Sequence, residues 1–198
     1  MNSYLAGLGT GLSLILVIGA QNAFVLKQGL LRQHVFWVCL FCALSDAVLI
    51  SLGVGGAGII AAQAPVAMQV MRWGGAAFLI WYGARAFRAA WRGDTALRAG
   101  RGGGATLAAT IGTVAALTWL NPHVWLDTVV LLGAVSASHE GAPFAAGAIT
   151  ASFLFFFALG YGARLLAPVF RRPRAWQVLD AAIGVIMWSI ALGLILTG

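Results

Sequence analysis

Two carboxylates interrupt otherwise apolar runs of this chain. Asp127 ends the stretch Leu117-Thr118-Trp119-Leu120-Asn121-Pro122-His123-Val124-Trp125-Leu126-Asp127, five residues after an Asn-Pro pair, and the apolar run then continues to Gly133. Asp46 interrupts Ala43-Leu44-Ser45-Asp46-Ala47-Val48-Leu49-Ile50. A carboxylate at membrane depth costs about 2.5–3.5 kcal/mol on insertion scales, so each acid needs a partner or a task. Three roles suit the residue type: neutralising a cationic ligand, carrying a coupling proton, or pairing with Lys27 or Arg72.

The backbone around Asp127 is also unusual. Pro122 has no N–H to donate and clashes with the preceding turn, and it biases Asn121 away from helical geometry. Backbone groups freed at membrane depth are tolerated only inside protein or beside water. Asn121-Pro122 therefore marks a packed kink or a binding site, and Asp127 on the same run favours the site. Gln21 and Asn22 are adjacent amides near the end of the first apolar run. They would bond between helices or hold a polar ligand, and the flanking Gly19 and Gly29 permit an unwound segment.

Other reactive residues point nowhere in particular. Cys39 and Cys42 lie about one helical turn apart and face the same way; they read as small packing residues, because no second Cys pair completes a metal site. His34, His123 and His139 show no ligand spacing. No catalytic triad, zinc-protease motif or phosphate loop is present, so neither catalysis nor a metal or other cofactor is expected.

The elements that must position these residues follow from composition. The chain has 198 residues, of which 61% are hydrophobic and only 9% charged, against about 25% charged in a soluble domain. It has too few charges to cover a water-facing surface and reads as an all-α membrane protein. A spanning helix needs about 20 apolar residues, and six stretches qualify: 3–26, 35–62, 66–89, 106–133, 143–167 and 176–197. The short alternating segments of a membrane β-barrel are absent. The first run lacks the basic flank of a cleaved signal peptide.

The net charge of +7 would suit nucleic acid, but its distribution does not. Lys27 and Arg32 fall between the first two runs. Arg85, Arg88, Arg92, Arg98 and Arg101 follow the third, and Arg164, Arg171, Arg172 and Arg174 follow the fifth. The positive-inside rule makes these three loops cytoplasmic, which puts both termini on the periplasmic side of a bacterial inner membrane. Asp180, close behind Arg174, reads as interfacial.

The Gly- and Arg-rich stretch 91–105 reads as a cytoplasmic linker. It divides the chain into residues 1–90 and 106–198, each holding three spans. Each half opens with an Asn-containing break, at Gly19-Ala20-Gln21-Asn22 and at Asn121-Pro122. Each closes on a helix containing Gly and Trp. Three spans per half make the second half inverted, and inverted repeats with broken helices are typical of secondary transporters. Small residues form packing seams: Cys39, Cys42, Ala43, Asp46, Gly53 and Ala57 along one face, then Gly147 with Ala151 and Ala158 with Gly162. The first seam turns Asp46 into the bundle.

Three motifs carry a resemblance. Gly19-Ala20-Gln21-Asn22-Ala23-Phe24-Val25-Leu26-Lys27-Gln28-Gly29, Cys42-Ala43-Leu44-Ser45-Asp46 and Leu117 through Thr128 are similar to the motifs of the LysE/ArgO family of basic amino-acid exporters. The likeness extends over essentially the whole chain. Gly19-Ala20 stands where related neutral amino-acid exporters have Gly-Pro, which together with Asp127 favours the cationic branch. Trp125 stands where Tyr would be expected. The resemblance implies an ion-coupled, alternating-access exporter of arginine or lysine, with the proton as coupling ion. Asp46 and Asp127 would meet the cationic side chain or carry the proton, and Asn121, Gln21 and Asn22 would hold the head group. Export of a divalent metal or of neutral amino acids remains the alternative, and a homodimer remains open.

Overall fold

The computed structural model describes residues 2–17, 19–57, 65–96 and 105–196, and every regular element among them is a helix. Helix α1 (Ser3–Ile15) is capped by the Asn2 side chain, which accepts from the Tyr4 N–H at 3.1 Å. Helix α2 (Ala20–Leu31) starts directly after Gly19 and ends at Arg32 in the left-handed conformation. Helix α3 (Val35–Leu52) runs on through a wider turn, Gly53–Ala57. Then come α4 (Pro65–Arg92), α5 (Leu107–Trp119), α6 (Pro122–Ser136), α7 (Gly141–Gly162) and α8 (Pro173–Leu196).

Three stretches, Val35–Gly56, Gly141–Leu166 and Pro173–Leu196, are long and apolar enough to cross a bilayer. Two of the expected spans are broken, at the positions where a break was expected. The run 3–26 is two helices, α1 and α2, bent by 83° at the break before Gly19. The run 106–133 is α5 and α6, parted at Asn121-Pro122. The physical causes are the residues already singled out. Gly19 is extended at φ −105° and ψ −179°. Asn121 is extended at φ −100° and ψ 106° ahead of the proline. Pro122 then sits at the first helical position of α6, where a missing N–H costs nothing. Residues 58–62 of the second expected span, most of the linker 91–105 (97–104, with Arg98 and Arg101) and residue 197 lie outside the described residues.

The bundle closes through small residues. Gly7 meets the Phe144 backbone and Gly147 meets Tyr4, so α1 lies parallel against α7 with no side chain between them. Gly160 packs on Cys39 and lets α7 cross α3. The Gly147–Ala151 seam is thus a contact, but Ala158 and Gly162 are not: Ala158 is exposed and a side chain at Gly162 would meet open space. Gly160, Ala163 and Gly29 make that approach instead. Cys39 and Cys42 are fully buried packing residues, and the Cys39 thiol donates to the Phe156 carbonyl at 3.2 Å. Large apolar side chains such as Leu44, Val48, Val70 and Leu192 point outward, a surface that suits lipid.

The helix ends sort by charge. Lys27 meets Asp180, His34 meets the Ala105 carbonyl and Gly29 meets Gly160, so the basic connections gather at one end. At the other end Ser3 binds the Glu140 N–H, Gly53 packs on Gly133 and the Arg72 guanidinium caps the Leu194 and Ile195 carbonyls of α8.

Candidate functional site

Two broken helices leave a cavity of about 340 Å³ where the breaks face each other. Gly19, Ala20, Gln21 and Asn22 of α2 form one wall. Asn121, His123, Val124, Asp127 and Thr128 of α6 and its approach form another. Asp46 of α3 enters from the side, and Leu14, Ile15, Val17, Phe156 and Ile190 complete the lining. The sequence residues Asp46, Asp127, Asn121, Gln21, Asn22 and Gly19 therefore share one enclosure. Pro122 is buried and not part of the lining; it positions Asn121 and starts α6.

The two acids differ in setting. Asp46 is 6% exposed, and its Oδ2 accepts from the Ser152 hydroxyl of α7 at 2.7 Å. Asp127 is exposed, and its carboxylate makes no hydrogen bond or ion pair among the described residues. His123, one turn earlier, stands in the same wall. Neither acid pairs with Lys27 or Arg72: Lys27 is on Asp180, and Arg72 is on the end of α8. Among the described residues neither cavity acid has a Lys or Arg partner.

The amides divide their work. The Asn22 Nδ2 donates to the Ile15 and Val17 carbonyls at 2.8 and 2.9 Å, so it caps the end of α1 and leaves only its oxygen for a ligand. The Asn121 Oδ1 accepts from the His123 N–H at 3.1 Å and caps α6, leaving its amide nitrogen for a ligand. Gln21 sits beside the Cys42 thiol, and its Nε2 has no hydrogen-bond partner among the described residues. Gly19 caps α2 without a side chain, and Gly19 to Asn22 line the cavity. A helix N-terminus without a side-chain cap favours negative charge. The cavity thus brings two carboxyl side chains and the start of α2 together.

Trp119 and Trp125 brace the break. The Trp119 indole donates to Ser45 and the Trp125 indole to the Trp119 carbonyl, each at 3.2 Å, with the rings edge to face. A tryptophan at 125 thus finds its own partner without a phenolic hydroxyl. Sequence reasoning missed Ser152, a lone hydroxyl in an apolar helix, and His123, whose spacing to Asp127 is one turn. Asp180, read as interfacial, is 1% exposed and is held by Lys27 at 2.5 Å.

A profile described as LysE type translocator matches residues 12–198. The chain belongs to that family. It is 42% identical over 194 residues to the "Arginine exporter protein ArgO" of Escherichia coli (strain K12), covering 96% of this chain and 92% of the relative. It is 43% identical, with the same coverage, to the protein of that name from Salmonella schwarzengrund (strain CVM19633). No solved structure matches. As a LysE type translocator the chain is a helical membrane transporter.

Proposed function

We propose that this chain exports L-arginine, and lysine as a related cargo, across the inner membrane by ion-coupled alternating access. The observation that carries the reading is the pairing of two unneutralised acids, Asp46 and Asp127, with the uncapped N-terminus of α2 in one cavity. A basic amino acid bears the complementary charges: a cationic side chain for the acids and an α-carboxylate for the helix end. The ammonium group would meet the Asn22 oxygen, and the Asn121 amide nitrogen would add a bond to the carboxylate. The relatives' names support the same cargo. The cavity of about 340 Å³ falls in the usual small-ligand range, roughly 300–1,000 Å³.

The chain is proposed to cross the membrane six times as two inverted halves, 1–90 and 106–198, joined by 91–105. What supports this is the matched pair of breaks and the alternating run of helices between a basic and a non-basic end. The basic end would be cytoplasmic and both termini periplasmic. Exporting a cation against a potential negative inside costs about 2.3 kcal/mol per charge per 100 mV. Proton exchange would offset it, with Asp46 or Asp127 as the carrier.

The test is counterflow in proteoliposomes loaded with arginine and presented with labelled arginine, lysine, homoserine or a divalent metal. Saturable exchange of arginine and lysine, without homoserine or metal flux, is the expected result. Metal flux without amino-acid flux would overturn the reading. Among the described residues, no three His, Cys, Asp or Glu side chains gather into a metal site.

A further inference from the structure

The ion pair of Lys27 and Asp180 lies outside the central cavity. Lys27 forms part of the wall of a second, larger cavity of about 570 Å³ at the basic end, together with Gln28, Tyr82, Arg85 and Arg88. Helix α2 lines both chambers, the central one through Gly19 to Asn22 and this one through Phe24 to Leu31. Between them Phe24, 3% exposed, packs edge-on against Tyr82 with ring centres 6.1 Å apart. Both rings line the loop-side chamber, and Lys27 follows Phe24 by three positions on the same helix.

Asp180 is incompletely satisfied. Its Oδ1 takes the Lys27 ammonium at 2.5 Å, while its Oδ2 is buried with no partner among the described residues. Gln28, next to Lys27 in sequence, is 7% exposed, and its Oε1 is likewise buried with no partner among the described residues. A buried carboxylate oxygen and a buried amide oxygen left empty are expensive for a fold that keeps them only for itself. Both are acceptors, so what each lacks is a donor. A guanidinium brings five N–H donors in a fork that can take both carboxylate oxygens, where an ammonium brings three. The wall also carries Arg85, Arg88 and Asp94, and its two guanidinium groups suit the α-carboxylate at the other end of the same molecule.

We infer that Asp180 is a second, loading site for the cationic side chain of a basic amino acid, and that Lys27 occupies it as a tethered surrogate until the cargo displaces it. Displacement frees Lys27 from α8 and so releases α2, the helix that carries Phe24 and the wall of the central cavity. The loading site rests on the proposed cargo and goes beyond the central site. It makes the cation itself the key that opens the way inward.

The experiment uses full-length protein in proteoliposomes, with arginine presented to the basic-loop face. A buried ion pair with only a structural role is replaced by neutral residues of similar volume with little or no loss. The double variant Lys27→Met with Asp180→Asn should therefore keep its melting temperature, yet its KM for arginine from the loop face should rise about tenfold or more, the usual worth of a lost charge-assisted bond. The single variant Lys27→Met removes the surrogate and should lower that KM, with Lys27→Arg restoring the native value. A double variant with native KM, or a Lys27→Met variant that is folded and whose KM does not fall, overturns the loading site alone. A native protein that carries no basic amino acid overturns the central reading and this one together.

Discussion

Asp127→Asn removes one negative charge at nearly constant volume, and the surroundings of Asp127 make the result easy to interpret. The carboxylate makes no hydrogen bond or ion pair among the described residues and is exposed to the cavity. No fold contact is lost, so the melting temperature of the purified variant should match that of the native protein. The binding of a cationic side chain loses a charge-assisted interaction, about 1.5–3 kcal/mol, or roughly 10- to 150-fold in affinity. Calorimetric titration of arginine into detergent-solubilised protein measures that loss, and counterflow measures its effect on exchange. If Asp127 carries the proton instead, exchange survives and only gradient-driven accumulation fails. A well-folded Asp127→Asn protein with native affinity and native gradient-driven export would refute both roles.

Ser152→Ala leaves the buried Asp46 Oδ2 without its donor and should destabilise the protein by about 1–3 kcal/mol, read in thermal unfolding. Asn22→Ala uncaps the end of α1; a loss of about 1 kcal/mol lowers the melting temperature by about 2–4 °C for a chain of this size. Gly147→Leu drives a side chain into the Tyr4 backbone and should abolish monodisperse protein on size-exclusion chromatography, while the same change at Gly162, which faces open space, should be silent. A reporter fused to the C-terminus should behave as periplasmic, and a cytoplasmic signal would reverse the proposed orientation.

Some of the site was readable from residue chemistry because apolar surroundings make polar residues conspicuous. Asp46, Asp127 and the Asn121-Pro122 break stood out as violations of an otherwise uniform pattern, and such violations are absorbed only by a partner or a cavity. The breaks at Gly19 and Asn121 were visible for the same reason, although the depth of the first, a bend of 83°, was not. What pattern could not reveal was the division of labour among the amides. Asn22 and Asn121 each satisfy a helix end with one half of the side chain, and that depends on where the other helix stops.

Composition alone established the solvent of this protein, because 9% charged residues cannot cover a surface in water. Spacing alone established which helices carry the breaks and which face of α3 turns Asp46 inward. Pairing across the bundle belonged to the tertiary structure. Lys27 and Asp180 are 153 positions apart, and nothing local to either distinguishes a loop-flanking charge from half of a buried ion pair. The same holds for Gly160 over Gly162 as the packing glycine: the small-residue spacing with Ala158 favours Gly162, and only the direction of approach of α2 and α3 selects Gly160. Local chemistry sets what a residue can do; the crossing of helices decides which other residue it meets.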